Sequence, residues 1–299
     1  MAFNGALRRS GTKLKSTVIA VMTLVGALLS AYPLAAWAQA LPEEELEQKG
    51  LAPQAPPGNW DITLGAGIAA VPTYPGAKDY HARLVPLASI TYRNTFFLGP
   101  SGLGMNAINW NGFRAGPVLG YLGGRNQSDD PHLNGLGDIQ PSLTAGMFAS
   151  YRMGPFEVGG TVRQAVVHTN NGLVGRVQLD YRRPIIANKL EFDVGPEIDL
   201  GDSQYERTWF GVSPGQSARS GLPAFTPGGG VTDAGAHLMF NYRYSEHILF
   251  RAFGDVREFV GDASNSPIVQ SKTQAIIGIG IAYHWGAGDA NALRTGGAD

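Results

Sequence analysis

Cysteine is missing altogether from the 299 residues, and charge is scarce, with 16 % of positions Asp, Glu, Lys or Arg. The first absence rules out a disulfide framework, so an exported chain of this sequence has to fold without covalent staples. The charges nearly cancel, 23 basic against 24 acidic, which argues against a nucleic-acid partner because such a partner calls for a basic surface. Long apolar runs are also lacking: past the first 40 positions no stretch reaches the roughly 18 uncharged apolar residues a membrane-spanning helix needs. What remains is a soluble globule or a membrane β-barrel. The chain does hold 41 glycines and an ordinary 43 % of hydrophobic residues.

Residues 1–38 read as an export signal. Arg8, Arg9, Lys13 and Lys15 form a basic n-region, an apolar core runs over 17–29, and Ala36-Trp37-Ala38 supplies small residues at a cleavage site. Residues 39–59 carry Glu43, Glu44, Glu45 and Glu47 followed by Pro53, Pro56 and Pro57, too little apolar surface to order on its own; a disordered periplasmic segment is expected.

From Trp60 the chain alternates with period two, the spacing that puts successive side chains on opposite faces of a sheet. Trp60, Ile62, Leu64, Ala66 and Ile68 share one face of the first run. The same split recurs: Val177, Leu179 and Tyr181 oppose Arg176, Gln178, Asp180 and Arg182, and Ala236, Leu238 and Phe240 oppose His237 and Asn241. Twelve strands are predicted, at 60–70, 82–92, 95–99, 102–110, 113–124, 138–152, 155–168, 172–183, 189–201, 231–244, 247–259 and 273–285.

A soluble sandwich alternates too, so the connections decide. Those at 93–94, 111–112, 153–154, 184–188 and 245–246 are short and fall on one side; the long ones, notably 125–137, 202–230 and 261–272, fall on the other. Short periplasmic turns, long outer loops and an even strand number mark a closed antiparallel transmembrane β-barrel of the outer membrane, covering 60–285 and in contact with outer-membrane lipid. Ten aromatics, among them Trp60, Tyr92, Trp110, Tyr151, Phe156 and Trp285, cluster at the short-turn ends, as an interfacial girdle requires. The pair 95–99 and 102–110 is the weakest part of the count, since one bulged strand would read similarly.

Arg163, Arg176, Asp180, Arg182, Glu191, Asp193, Glu197 and Asp199 face inward from three consecutive strands, and ion pairs are expected across that wall. Two readings fit them: a structural network in a narrow, filled lumen, or a selectivity lining for a small solute. Gly280, Tyr283 and Trp285 on the last strand resemble the C-terminal signal read by the barrel assembly machinery, although a polar tail, 286–299, follows them. No catalytic machinery, cofactor or metal is expected. His81, His132 and His168 lie near the outer rim with Asp129 and Asp130, but no ligand or triad spacing links them. Within the loop 202–230, Ser213 and Pro214 predict a short capped helix over 213–220.

Several loop stretches carry more particular wording than barrel physics asks for. These are Tyr74-Pro-Gly-Ala-Lys-Asp79-Tyr80, Gly123-Gly-Arg125 with Ser128-Asp129-Asp130, and Leu133-Asn-Gly-Leu-Gly-Asp138-Ile139. Trp209-Phe-Gly-Val-Ser-Pro214 through Pro223 and Gly261-Asp262 through Val269 complete the set. With them, the chain from about Trp60 to Trp285 resembles the MltA-interacting protein (MipA) and OmpV family of outer-membrane proteins. It departs at Gly76-Ala77, where the family commonly has Gly-Ser, and in its C-terminal extension. The resemblance implies a non-enzymatic barrel, either a scaffold linking a lytic transglycosylase to a bifunctional penicillin-binding protein in peptidoglycan enlargement, or a porin-like, adhesion or osmotic-response protein acting through its outer loops.

Overall fold

The computed structural model describes residues 59–100 and 102–286. The expected signal sequence, the acidic segment up to 58 and the tail from 287 lie outside the described residues.

Twelve antiparallel strands follow one another around a closed sheet. They are β1 (Trp60–Pro72), β2 (Tyr80–Tyr92), β3 (Phe96–Gly99), β4 in two pieces (Gly102–Met105 and Ile108–Trp110), β5 (Phe113–Leu122) and β6 (Ser142–Met153). The second half comprises β7 (Phe156–Ala165), β8 (Leu173–Ile186), β9 (Leu190–Gly201), β10 (Gly230–Arg243), β11 (Ile248–Phe259) and β12 (Thr273–Gly286). Neighbours in sequence are neighbours in the sheet, and β1 pairs with β12 from Asp61↔Gly286 to Ala70↔Ile277. The closing pairs supply the backbone partners that a sheet in lipid needs around the turn side of the ring, where β2 meets β3 over Ile90–Tyr92.

The weakest part of the strand count resolves into two strands and a bulge. Leu103 and Gly104 face Leu119 and Val118, whereas Ile108 and Asn109 face Ala115 and Arg114, so β4 carries one residue more than β5 between these pairs. Gly116 makes the kink possible: a Cβ there would lie 1.8 Å from the Met105 carbonyl oxygen.

The faces are inverted relative to a soluble protein. Leu84 is 79 % and Ile277 68 % exposed on the outside, while Glu197 at 5 % and Gln274 at 3 % are buried within. An aqueous sheet sorted this way would lose about 25 cal/mol for each Å² of apolar surface left wet, so the arrangement requires lipid around it. Trp60 with Tyr92, Phe156 with Tyr181, and Tyr283 with Trp285 form close ring pairs at the short-turn ends. No helix among the described residues is long and apolar enough to cross a membrane, which does not bear on strands.

The short turns are of hairpin type. Arg93 and Asn94 both have φ 51°, and Asn111 and Gly112 have φ 48° and 81°, the paired positive values that match the twist of a two-residue hairpin. Differences from the predicted strands fall mostly at the outer ends. The strand expected from 138 begins at Ser142, because Ile139 is drawn into an isolated bridge with Arg125. The one expected to reach 168 stops at Ala165, since His168 turns left-handed before a helical turn at Thr169–Asn171. On the other side, β8 continues to Ile186 and shortens the expected 184–188 turn.

Candidate functional site

Within the lumen, charge is gathered on one wall. Arg176 and Asp199 are cross-strand partners on β8 and β9, joined by two hydrogen bonds of 2.6 Å; Arg182 and Asp193 are likewise partners, at 2.5 Å. Glu191 stands 3.8 Å from Arg182, and Glu197 3.5 Å from Arg176. Arg163 is on the same inner wall from β7, its guanidinium passing over Gly120, where a Cβ would come within 2.5 Å of it.

Sequence reasoning reaches three strands; the structure extends the wall to five. Arg257 on β11 reaches Glu197 at 2.7 Å, Asp199 at 3.0 Å, Asp233 at 3.5 Å and Asp255 at 2.7 Å. His237 on β10 faces Asp180 at 3.2 Å, Asp193 at 3.6 Å and Glu197 at 3.7 Å. His237 is visible on the polar face of its strand, and the period-two series Arg251, Asp255, Arg257 exposes β11 in the same way.

Nearer the short turns, Glu157 accepts from Arg152 at 3.0 Å and is also paired with Arg114. A cavity of about 250 Å³ runs from this pair and Asn94 and Asn106 at the turns up to Arg176 and Asp180. A second, of about 130 Å³, is lined by Asp61, Arg243, His247, Arg251 and His284. Both lie in the half of the lumen that faces the short turns.

The other end is covered. The loops 73–79, 123–141 and 202–229 leave the sheet four strands apart, a third of the circumference each, and yet share one apolar core. Tyr74, Ala77, Leu133, Leu136, Val212 and Ile268 pack together there, each 4 % exposed or less. Loops spaced so widely around a ring meet only by crossing its mouth. The longest holds α1 (Ser203–Phe210), capped by Asp202, and α2 (Pro214–Ser220), with a Ser213–Gln216 capping box where the sequence predicts a capped helix. Buried Arg125 donates to the Trp209 carbonyl at 2.8 Å, Ser266 Oγ to the Phe210 carbonyl at 2.6 Å, and Tyr74 Oη to the Ile268 carbonyl at 3.1 Å. Gly135, at φ 86°, allows the α2 backbone to approach: a Cβ would sit 2.7 Å from the Arg219 carbonyl carbon. The particular loop wording noted in the sequence is therefore the wording of a lid.

One carboxyl in the lid is poised to titrate. Glu206 is 2 % exposed, accepts from Thr232 Oγ1 at 2.5 Å, and leaves its other oxygen without a hydrogen-bond partner. Burial is the largest influence and pushes its carboxyl up to about 7; the Thr232 hydroxyl opposes this, while Asp262 and Asp202 add to it. A raised carboxyl value in the closed state means that closure binds a proton. The stabilisation is complete below the ordinary value of 4.5 and disappears as pH rises through about 7. The difference amounts to roughly 3 kcal/mol. Limited proteolysis of the loop between pH 5 and pH 8 should therefore accelerate with pH in the native protein and stay flat in Glu206→Gln. A flat native profile would refute the assignment.

The rim residues considered for catalysis have other uses. His132 Nε2 lies 2.9 Å from the Pro267 carbonyl and His168 Nδ1 2.7 Å from that of Pro141. Asp130 caps the helical turn at Pro131–Leu133, Asp129 accepts from the Asn126 amide, and His81 is exposed on β2. Gly280, Tyr283 and Trp285 stand on β12, with Tyr283 stacked on His247 at 5.2 Å.

Strand closure, the inverted faces and the aromatic ring at the turns together define a transmembrane β-barrel of the outer-membrane type. Outer-membrane proteins are among the solved structures it is similar to. A bacterial polysaccharide outer membrane secretin is 9 % identical, over 77 % of this chain and 99 % of that one, with a TM-score of 0.36. An outer membrane channel from Pseudomonas putida F1 is 11 % identical, over 82 % and 100 %, with a TM-score of 0.36. The outer membrane phospholipase A of Escherichia coli, in an active-site mutant, is 10 % identical, over 77 % and 91 %, with a TM-score of 0.31. No curated protein matches the chain. The chain belongs to the MipA family, the MltA-interacting proteins, whose sequence profile covers residues 64–285. It is an outer-membrane protein.

Proposed function

We propose that this barrel is a non-catalytic scaffold whose working side faces the periplasm, where it brings a lytic transglycosylase together with a bifunctional penicillin-binding protein during peptidoglycan enlargement. The observation that carries this reading is the asymmetry of the two mouths. On the loop side the family's distinctive residues are consumed in a lid, with Leu133 and Ile268 fully buried, and so offer little to a partner outside the cell. On the turn side, which is periplasmic in barrels of this type, two cavities edged by charged side chains stay accessible. Family membership supports the transglycosylase arm, because the family's description names MltA as a partner.

Partner capture is assigned to the periplasmic turns and to the acidic segment 39–59, and recognition by the assembly machinery to Gly280, Tyr283 and Trp285 on the closing strand. Affinity purification from detergent-solubilised envelopes tests the scaffold. Murein hydrolase and synthase should be recovered with the intact protein, lost on deletion of 39–59, and kept on deletion of 203–229. Recovery no greater than with an unrelated barrel would refute it.

A further inference from the structure

We propose that the lumen holds a binding site for one divalent transition-metal ion, with His237, Asp180 and Asp193 as its ligands. The three come from adjacent strands β10, β8 and β9, and their donor atoms converge. His237 Nε2 is 3.2 Å from Asp180 Oδ1 and 3.6 Å from Asp193 Oδ1, and all three atoms lie within 4.8 Å of one another. Ligands held about 2.0–2.2 Å from a tetrahedral cation are separated by about 3.3–3.6 Å, so the observed spacings bracket what zinc needs.

The surroundings aim these atoms inward. Asp193 is 6 % exposed, and its Oδ2 takes the Arg182 guanidinium at 2.5 Å, but its Oδ1 has no hydrogen-bond partner. The nearest group to that oxygen is His237 Nε2 at 3.6 Å, beyond hydrogen-bond length, and a buried carboxylate oxygen without a hydrogen bond costs about 1–3 kcal/mol, which a cation between the two would relieve. Gln178 Nε2 donates to both Asp180 oxygens, at 3.0 Å to Oδ2 and 3.3 Å to Oδ1, and so holds the carboxylate in place while Oδ1 keeps a further lone pair. Behind the imidazole, Glu197 Oε2 stands 3.7 Å from Nδ1, on the side where metal-bound histidines are backed by a carboxylate. One imidazole nitrogen with two carboxylate oxygens suits zinc, manganese or ferrous iron better than copper(I), which prefers sulfur, and leaves a position open for water or a ligand.

There is also a route in. Asp180 lines the cavity of about 250 Å³ that runs up from the short turns, so the ion enters from the periplasmic side, past Asn94 and Asn106. The competing account is an imidazolium salt-bridged to the same three carboxylates with no metal at all. The two differ in what the purified protein retains.

Refolded, metal-free barrel is equilibrated with zinc sulfate, desalted and assayed for zinc by plasma mass spectrometry, with heat-modifiable gel mobility as the check on folding. One zinc per chain is expected for the native protein. His237→Gln and Asp180→Asn, both still folded, should fall at least tenfold, and Asp79→Asn, exposed on the outer loop 73–79, should keep the ion. Cobalt loading should give visible absorption bands that the same two variants lose. A native protein that retains no more zinc than His237→Gln overturns the proposal and leaves the imidazolium. If the variants fail to fold, the native protein decides alone: lack of stoichiometric zinc, or of cobalt bands displaced by zinc, overturns it equally.

Discussion

Replacing residues 203–229 with a short Gly-Ser linker should convert a barrel that passes almost no current in planar bilayers into one with steady openings. The excised segment contains α1, α2 and Val212 of the apolar core over the outer mouth, together with Trp209 and Phe210, which pack with Phe259 and Ala263 in a second buried cluster. Arg125 and Ser266 lose the carbonyls they donate to, and the loops 73–79 and 123–141 lose the surface on which they meet. The barrel wall itself is untouched, because β9 and β10 keep their ladder from Leu190↔Tyr242 to Gly201↔Gly230. Stability of the wall and conductance through it are thereby separated: the variant should keep its heat-modifiable mobility while gaining current. A native barrel already conducting as much as the variant would show that the lid does not seal, and would favour a porin-like role over the scaffold.

The wall is legible in the sequence and the lid is not, for one reason. A strand announces itself locally, by two-residue alternation and by the residues of its turns. Asn111-Gly112 marks a hairpin by its two residue types alone, and the sorting of short and long connections follows from counting. The lid consists of contacts such as Tyr74 with Ile268 and Arg125 with Trp209, between residues that share no period and lie far apart in the chain. Only the oddly specific wording of those loops hints that more than solubility is being encoded. The inner wall falls between the two cases. Asp193 and Glu197 alternate cleanly with Phe192 and Ile198, and their inward direction follows from that alternation. The partners Arg257 and His237 sit on strands whose polar positions are interrupted by Phe253 on one and Gly235 and Met239 on the other, and a reading drawn to the denser run on β8 and β9 passes over them.

That same wall carries the second large effect. Arg257→Ala should destabilise the barrel by about 3–5 kcal/mol, the usual cost of removing one partner from a buried ion network. The reason is local crowding of like charge. Asp199 and Asp233 are directly opposite each other on β9 and β10, and the Arg257 guanidinium stands against both at 3.0 Å and 3.5 Å. Without it, buried Asp233 and half-buried Asp199 face each other across a ladder where even exposed like charges are unfavourable, and Glu197 and Asp255 each lose a 2.7 Å contact. Arg257→Lys keeps the charge but not the planar fork that serves four carboxylates, and should recover only part of the loss. Urea unfolding in detergent micelles, followed by tryptophan fluorescence, reads both variants. The deficit of Arg257→Ala should shrink as pH falls toward about 4, where carboxylates take up protons and cease to repel. A deficit independent of pH would mean that the side chain contributes packing rather than charge, and that the five-strand network is not what holds this wall together.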